Sequence, residues 1–151
     1  MRRPLFAVIL CACAHAAAGG RESLLKADAD FARDVEERGL DAWVEAFADD
    51  GAMFPAGEPA IRGHDRIRAT MEELGDPRRA PPALRVRWKP LGADISDDGT
   101  LGWTFGNSLI VSGSAERRGK YVTVWRRAAG GQWKVVADMG TGGEAVPGAG
   151  P

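Results

Sequence analysis

The chain has 151 residues, of which 44% are hydrophobic, and this composition fits one domain with a single buried core. Lys and Arg together number 20 against 21 Asp and Glu, so the formal net charge is −1. A chain so close to neutral creates no long-range positive field, and nucleic acid is therefore excluded as an expected partner.

The first eighteen residues have the composition of a secretory leader. Arg2 and Arg3 precede the apolar run 4–10, which is followed by small residues as far as Gly20. This order is typical of a signal peptide, and the apolar run is shorter than the roughly 20 residues that a membrane-spanning helix needs. We therefore expect residues 1–18 to be a leader and the protein to be exported to the periplasm or cell envelope.

Both cysteines, Cys11 and Cys13, lie inside this leader, so no disulfide is expected in the mature domain unless Cys13 is retained and pairs between chains. Two interpretations of the cleavage site remain open. Residues 10–13 are similar to a bacterial lipobox, which would make Cys13 the lipidated first residue and its lipid the one membrane contact. The alternative is ordinary cleavage after a small-x-small triplet, at Ala14, Ala16 or Ala18.

Three helices are predicted in the first half of the mature chain. Apolar residues recur at three- and four-residue steps from Arg21 to Arg38, which predicts an amphipathic helix with Asp28 on its polar side. Gly39 suits the end of that helix, and Asp41 can cap a short second one. A third helix is predicted from His64 to Leu74.

Strands are predicted on both sides of the third helix. Short strands at 52–55 and 59–62 follow a turn at 49–51, and the proline in each restricts it to an edge or an end. A loop at 75–82 follows the third helix, and residues 141–151 are expected to form a disordered tail. Alternation with period two predicts four longer strands in an antiparallel meander, at 84–95, 101–111 with a kink at Gly106, 121–127 and 133–139.

This order of elements predicts an α+β fold in which helices cover one face of an antiparallel sheet. Val122 and Val124 alternate with Tyr121 and Trp125, so both faces of the sheet carry apolar side chains that need cover. We expect one face to hold the helices and the other a partner subunit.

Three segments carry a family resemblance: the closing hairpin 119–140, the strand 101–106 before it, and the passage 61–68 from the short hairpin into the third helix. Together they resemble the SnoaL-like and ketosteroid-isomerase-homologue families of the nuclear transport factor 2-like superfamily. The resemblance covers about residues 24–140, within a domain assigned to 21–140. It implies a cystatin-like fold, with a curved antiparallel sheet wrapped around helices into a cone, an apolar pocket at the open end, and a homodimer.

The resemblance does not imply one reaction, because these families include isomerases, cyclases, dehydratases and non-enzymatic domains. Ketosteroid isomerase needs an Asp base, together with a Tyr and a protonated Asp that hold the oxyanion. The family places the base just before a proline of the first strand, where this chain has Phe54 before Pro55. The first helix has no Tyr either, so steroid-isomerase chemistry by that route is excluded.

Asp138 on the last strand is the best remaining candidate for acid–base chemistry, with Tyr121 as its partner. Related cyclase-like sequences place a carboxylate there between two histidines, which this chain lacks. The competing interpretation is a surface or interface carboxylate paired with Arg126 or Lys134.

His64 is the only histidine of the mature chain, so no metal site is expected, and no cofactor is predicted. It is a candidate for the pocket mouth or a solvated residue at a helix start. Arg117, Arg118 and Lys120 are interpreted as a solvated loop rather than an anion site. The side chains predicted to line the pocket, or alternatively to pack in the core, are Trp43, Phe54, Trp88, Trp103, Asn107, Thr123 and Trp125.

From these residues we expect an exported, homodimeric protein that binds a small apolar or aromatic ligand in a cone-shaped pocket without catalysis. The alternative is an isomerase-, cyclase- or hydrolase-like enzyme that uses Asp138 and Tyr121 for acid–base chemistry.

Overall fold

The computed structural model of the chain describes residues 9–55, 58–75, 84–112 and 115–142. Parts of the predicted leader, loop and tail lie outside these ranges. Within them the elements, in chain order, are α1 (Ile9–Arg38), α2 (Leu40–Ala46), β1 (Phe47–Phe54), β2 (Ile61–Arg62), α3 (His64–Gly75), β3 (Leu84–Ile95), β4 (Leu101–Ser112), β5 (Ala115–Arg127) and β6 (Trp133–Gly142). The predicted α+β class is confirmed.

The six strands form one open sheet in the order β2-β1-β6-β5-β4-β3. Strands β3 to β6 form the predicted antiparallel meander, and β1 pairs antiparallel with β2. Strand β1 also lies parallel to β6, with Met53 opposite Asp138 and Phe54 opposite Met139. The short hairpin thereby extends the meander into a single sheet.

Irregular pairing curves this sheet. The register shifts between Pro90 and Gly92 on β3, and again between Val124 and Trp125 on β5. An extra residue on one strand bends that strand and increases its twist. The sheet therefore curves, as predicted, and α1 packs on its concave face.

The core joins α1 to the concave face of the sheet. Leu24 and Phe31 on the helix are buried with Trp125 and Val135 of the sheet. The ring of Phe31 meets that of Trp125 edge to face, with the centroids 6.0 Å apart. Burial of such large apolar side chains, at roughly 1.5–3 kcal/mol each, supplies most of the stabilisation that holds the helix in place.

The chain passes from α1 to α2 through Gly39, as the sequence predicts. Gly39 has φ of 65°, a left-handed conformation that costs glycine little, and its N–H donates to the carbonyl of Val35 at 2.9 Å. Asp41 does not cap α2, because Gly39 occupies the cap position and makes no side-chain bond there. The Asp41 carboxylate instead pairs with Arg68 at 2.9 Å.

Several boundaries differ from the sequence predictions: β5 begins at Ala115 instead of Tyr121, and β6 extends to Gly142, into the predicted tail. Helix α1 begins at Ile9 instead of Arg21. The predicted turn at 49–51 lies within β1, where the register against β6 shifts between Phe47 and Ala52. The turn-forming residues therefore make an irregularity inside a strand. Strand β4 continues through Gly106 without a break, because Gly106 stays in register with both neighbouring strands.

Both faces of the sheet carry apolar side chains, as predicted. Tyr121 and Trp125 are buried on the concave side, whereas Trp103 and Phe105 remain 43% and 44% exposed. In the described part of the chain, no helix combines the length and apolar character needed to cross a membrane.

Candidate functional site

A cavity of about 260 Å³ opens at one end of the curved sheet. Its walls come from all three helices and from five of the strands, and most of the lining side chains are apolar, Phe31, Trp43 and Trp88 among them. The volume lies just below the roughly 300–1,000 Å³ of typical drug-sized sites. The cavity therefore fits a small ligand.

The structure brings six of the predicted site residues to this cavity. They lie on five different elements and come together only through the fold. They are Trp43, Phe54, Trp88, Tyr121, Thr123 and Asp138.

Four other predicted pocket residues do not line the cavity. Trp103 lies on the outer face of β4, and Asn107 occupies the strand position next to Ser108, which does line it. Trp125 is buried in the core, where its indole N–H donates to Thr104 at 2.8 Å. His64 uses Nε2 to donate to the carbonyl of Phe47 at 2.9 Å, so its ring fixes the start of α3.

Asp138 stands on the concave face with a single protein donor. Its Oδ1 accepts a hydrogen bond from the hydroxyl of Thr123 at 2.7 Å, its neighbour across β5 and β6. Burial raises the pKa of Asp138 to about 6, the negative charge of Asp28 acts in the same direction, and the Thr123 bond opposes both. A carboxyl with this pKa exchanges protons readily near neutral pH.

The ion pairs that the competing interpretation gave to Asp138 are not formed. Arg126 pairs with Asp50, and Lys134 donates to the carbonyl of Glu45 at 2.7 Å. The interpretation of Asp138 as a surface carboxylate paired with either cation is therefore wrong.

Asp28 is a fully buried carboxylate held by neutral donors. It accepts the indole N–H of Trp88 at 2.8 Å and the hydroxyl of Tyr121 at 2.7 Å, and it also interacts with the hydroxyl of Thr104. No cation pairs with it within the described ranges. Burial raises the pKa of Asp28, and these three hydrogen bonds oppose the rise. Burial and the charge of Asp28 likewise raise the pKa of Tyr121.

Comparison with protein families adds to this geometry. Residues 29–136, most of the chain, match the model of the SnoaL-like domain. The chain belongs to this family.

Solved structures share the fold of this SnoaL-like domain at low identity. A ketosteroid isomerase-like protein from Erwinia carotovora atroseptica has a TM-score of 0.67 at 11% identity, covering 80% of this chain and 94% of that one. An NTF2-like protein of unknown function from Pseudomonas putida has a TM-score of 0.67 at 17% identity, covering 89% and 98%. An LEH-like epoxide hydrolase from M. tuberculosis has a TM-score of 0.58 at 14% identity, covering 80% and 78%. No curated protein matches in sequence.

Sequence reasoning missed Asp28, a fully buried carboxylate of this SnoaL-like domain. The prediction that places Asp28 on the polar side of α1 is wrong. Asp28 stands four residues after Leu24 and three before Phe31, so it lies on the same buried face of the helix as they do. That spacing was the available signal. The first helix has no Tyr, as the sequence shows, but Tyr121 from β5 donates a hydrogen bond to Asp28 from α1.

Gly106 helps to position Tyr121. The two residues are paired across β4 and β5, and a Cβ atom at Gly106 would lie 2.7 Å from Cε1 of Tyr121 and 2.1 Å from the carbonyl oxygen of Lys89. The glycine lets the tyrosine ring lie over the strand, with its hydroxyl at Asp28. Within the described ranges, no group of three or more His, Cys, Asp or Glu side chains could hold a metal ion.

Replacement of Asp28 by Ala should destabilise the domain by roughly 3 kcal/mol or more, because it strands the donors of Trp88, Tyr121 and Thr104 and leaves a small cavity. Urea unfolding at pH 7 measures the change. Asp30→Ala is the matched control, since Asp30 forms only exposed pairs with Lys26 and Arg33, and it should cost less than about 1 kcal/mol. Equal effects of the two replacements would contradict the structural role of Asp28.

Proposed function

We propose that this SnoaL-like domain binds a small, largely apolar carbonyl compound and moves a proton next to the carbonyl group. The observation that carries the proposal is that Asp138 and Tyr121 line the same small apolar cavity. An acid–base residue and a hydrogen-bond donor beside one bound molecule are the minimum that such chemistry needs.

Asp138 is the proton acceptor in this proposal. With a pKa of about 6 it is mostly ionised at neutral pH, yet it is more basic than an ordinary aspartate. Thr123 occupies Oδ1, which orients the carboxylate and leaves Oδ2 for the ligand. The C–H bond beside the carbonyl breaks, its proton passes to Asp138, and its electron pair moves onto the carbonyl oxygen.

Tyr121 is the donor that stabilises the resulting oxyanion. Its hydroxyl donates to Asp28 when that carboxyl is ionised. Burial raises the pKa of Asp28, and when Asp28 is protonated its O–H donates to the oxygen of Tyr121, which frees the phenol proton for the ligand. Ketosteroid isomerase also combines an Asp base with a Tyr and a protonated Asp. This chain supplies the three residue types from β6, β5 and α1.

The aromatic wall supports binding of an apolar ligand body. The ring of Trp88 lies edge to face with Phe31 and Trp43, with centroids 4.8 Å and 5.6 Å away. Such mutual contacts hold the rings in place before a ligand arrives, so little side-chain entropy is lost on binding. The solved structures of this fold include an LEH-like epoxide hydrolase, which is an enzyme.

The test uses 2-tetralone, a small aryl ketone with acidic C–H groups, in D₂O. Proton NMR should detect the exchange of these C–H protons for deuterium. The exchange rate should rise with pH through about 6 and then become constant, because only ionised Asp138 accepts a proton. Asp138→Asn should slow exchange by about 100-fold or more while tryptophan fluorescence still reports binding. Asp30→Asn, on the exposed surface, should match the wild type. Binding without exchange in the wild type would favour a non-catalytic binding protein.

We also propose that the domain forms a homodimer through the outer face of its sheet. Phe105, Val122 and Met139 lie opposite one another on adjacent strands, and Trp103 lies on the same face. The side chains of Phe105, Met139 and Trp103 are 43–45% exposed. Large apolar side chains that cluster on one face form a surface that another protein can cover. In a symmetric homodimer the same face of a second copy of the chain would cover it.

Trp103→Glu should convert the dimer to a monomer, because it places a charge at the centre of this apolar face. Size-exclusion chromatography with light scattering measures the mass. Ala69→Glu adds the same charge on the exposed surface of α3 and should leave the dimer intact. A wild type that is monomeric at micromolar concentration, or a Trp103→Glu variant that stays dimeric, would contradict the proposed interface.

We propose in addition that residues 1–18 direct export. Cleavage there would shorten α1 and leave in place the contact of Gly20 with Ile95 and the ion pair of Arg21 with Asp94. The two cleavage interpretations predict different N-termini.

Intact-mass spectrometry of the full chain expressed in bacteria distinguishes them. A mass that starts at Cys13 and carries lipid supports the lipobox, whereas an unlipidated mass that starts at His15, Ala17 or Gly19 supports ordinary cleavage. A full chain that keeps Met1 and stays in the cytoplasmic fraction would contradict export.

A further inference from the structure

We infer that the ligand carries a carboxylate that pairs with Arg117 at the mouth of the cavity, which makes Arg117 a specificity-determining residue. This inference rests on the proposed binding of a small apolar ligand and names the class of that ligand: an elongated apolar molecule with a carboxylate at one end.

The position of Arg117 on β5 directs it to the cavity. Successive side chains along a strand point to opposite faces. Arg117 is an even number of residues from Tyr121 and Thr123, so all three point to the same face, and all three line the cavity. Ile110, the partner of Arg117 on β4, lines the cavity too. The predicted loop is wrong, since Arg117 and Arg118 both lie on β5. Both side chains are exposed, but Arg117 borders the cavity and Arg118 falls on the opposite face.

Arg117 has no carboxylate partner in the part of the chain that the structure describes. Other arginines are paired: Arg68 with Asp41 at 2.9 Å, and Arg87 with Glu36 at 3.3 Å. A guanidinium without a partner presents a planar fork of N–H donors, which matches a carboxylate in two parallel hydrogen bonds. An incoming carboxylate thus meets a cation that need not first break an ion pair.

The charges of the cavity fix the direction in which such a ligand binds. Asp138 lies opposite Thr123, which is six residues from Arg117 along β5, or about 20 Å at roughly 3.3 Å per residue in a straight strand. The arginine side chain and the curvature of the sheet shorten this span. Asp138 repels a carboxylate and Arg117 attracts it, so the anionic end lies at the mouth and the apolar body points inward.

Glu58 is the third charged residue of the cavity wall and provides an independent test. Glu58 and Arg117 form no ion pair with each other in the described part of the chain, although both border the cavity. The negative charge of Glu58 at the same cavity reduces the attraction for an anion. Glu58→Gln should therefore strengthen carboxylate binding about two- to threefold.

The experiment compares decanoate with decanol, which have the same chain and differ in charge, by calorimetry at pH 8. Wild type should bind both compounds. Arg117→Met, which keeps the length of the side chain, should lower the affinity for decanoate about tenfold and leave the affinity for decanol unchanged. Retained decanol binding shows that the variant is folded. Arg118→Met, one residue away on the opposite face, should leave both affinities unchanged.

The outcomes separate this inference from the proposed function. Equal decanoate affinity of wild type and Arg117→Met, or wild type that binds decanol and not decanoate, overturns the role of Arg117 and leaves the apolar pocket in place. Failure of wild type to bind either probe overturns apolar-ligand binding itself, and the inference falls with it.

Discussion

The rest of the structure depends on the burial of one carboxylate. Asp28 lies at 0% exposure without a cation, and its donors come from three strands of the sheet. An ionised carboxylate in an apolar interior is costly unless its oxygens are satisfied, so the hydrogen bonds and the position of α1 must form together. Because Trp88 and Tyr121 also line the cavity, the bonds that fix the helix fix two of the cavity walls.

This arrangement also couples the two carboxyl groups of the concave face. The charge of Asp28 contributes to the raised pKa of Asp138, and Tyr121 interacts with both. Because the two negative charges repel each other, a proton held by Asp28 makes Asp138 easier to ionise. In the same state Asp28 no longer needs the proton of Tyr121. One proton on Asp28 thus favours both an ionised Asp138 and a free phenol donor, which are the states that the proposed proton abstraction requires.

Local patterns predicted the helices and the meander because periodicity is a property of neighbouring residues. The parallel pairing of β1 with β6 is a contact between distant segments, and nothing in the sequence of either strand signals it. Trp103 shows a similar limit. The residue type of Trp103 suggested a pocket wall, but Trp103 pairs with Val124 on the outer face of the sheet and therefore lies on that face too. Asp28 was misplaced for the opposite reason, since its type was weighed above its helical spacing.

Register also explains how the domain can retain a proton acceptor although Phe54 replaces the family base. Strands β1 and β6 are adjacent and parallel, with Met53 opposite Asp138 and Phe54 opposite Met139. Asp138 therefore stands on the strand next to β1, opposite Met53 and one residue out of register with Phe54, and both Asp138 and Phe54 border the same cavity. A sequence motif defined by the residue before Pro55 finds no base in this chain, because such a motif cannot detect a carboxylate on the neighbouring strand. The distance between two groups across a sheet depends on strand pairing, and a search for acid–base residues in this fold has to follow the register.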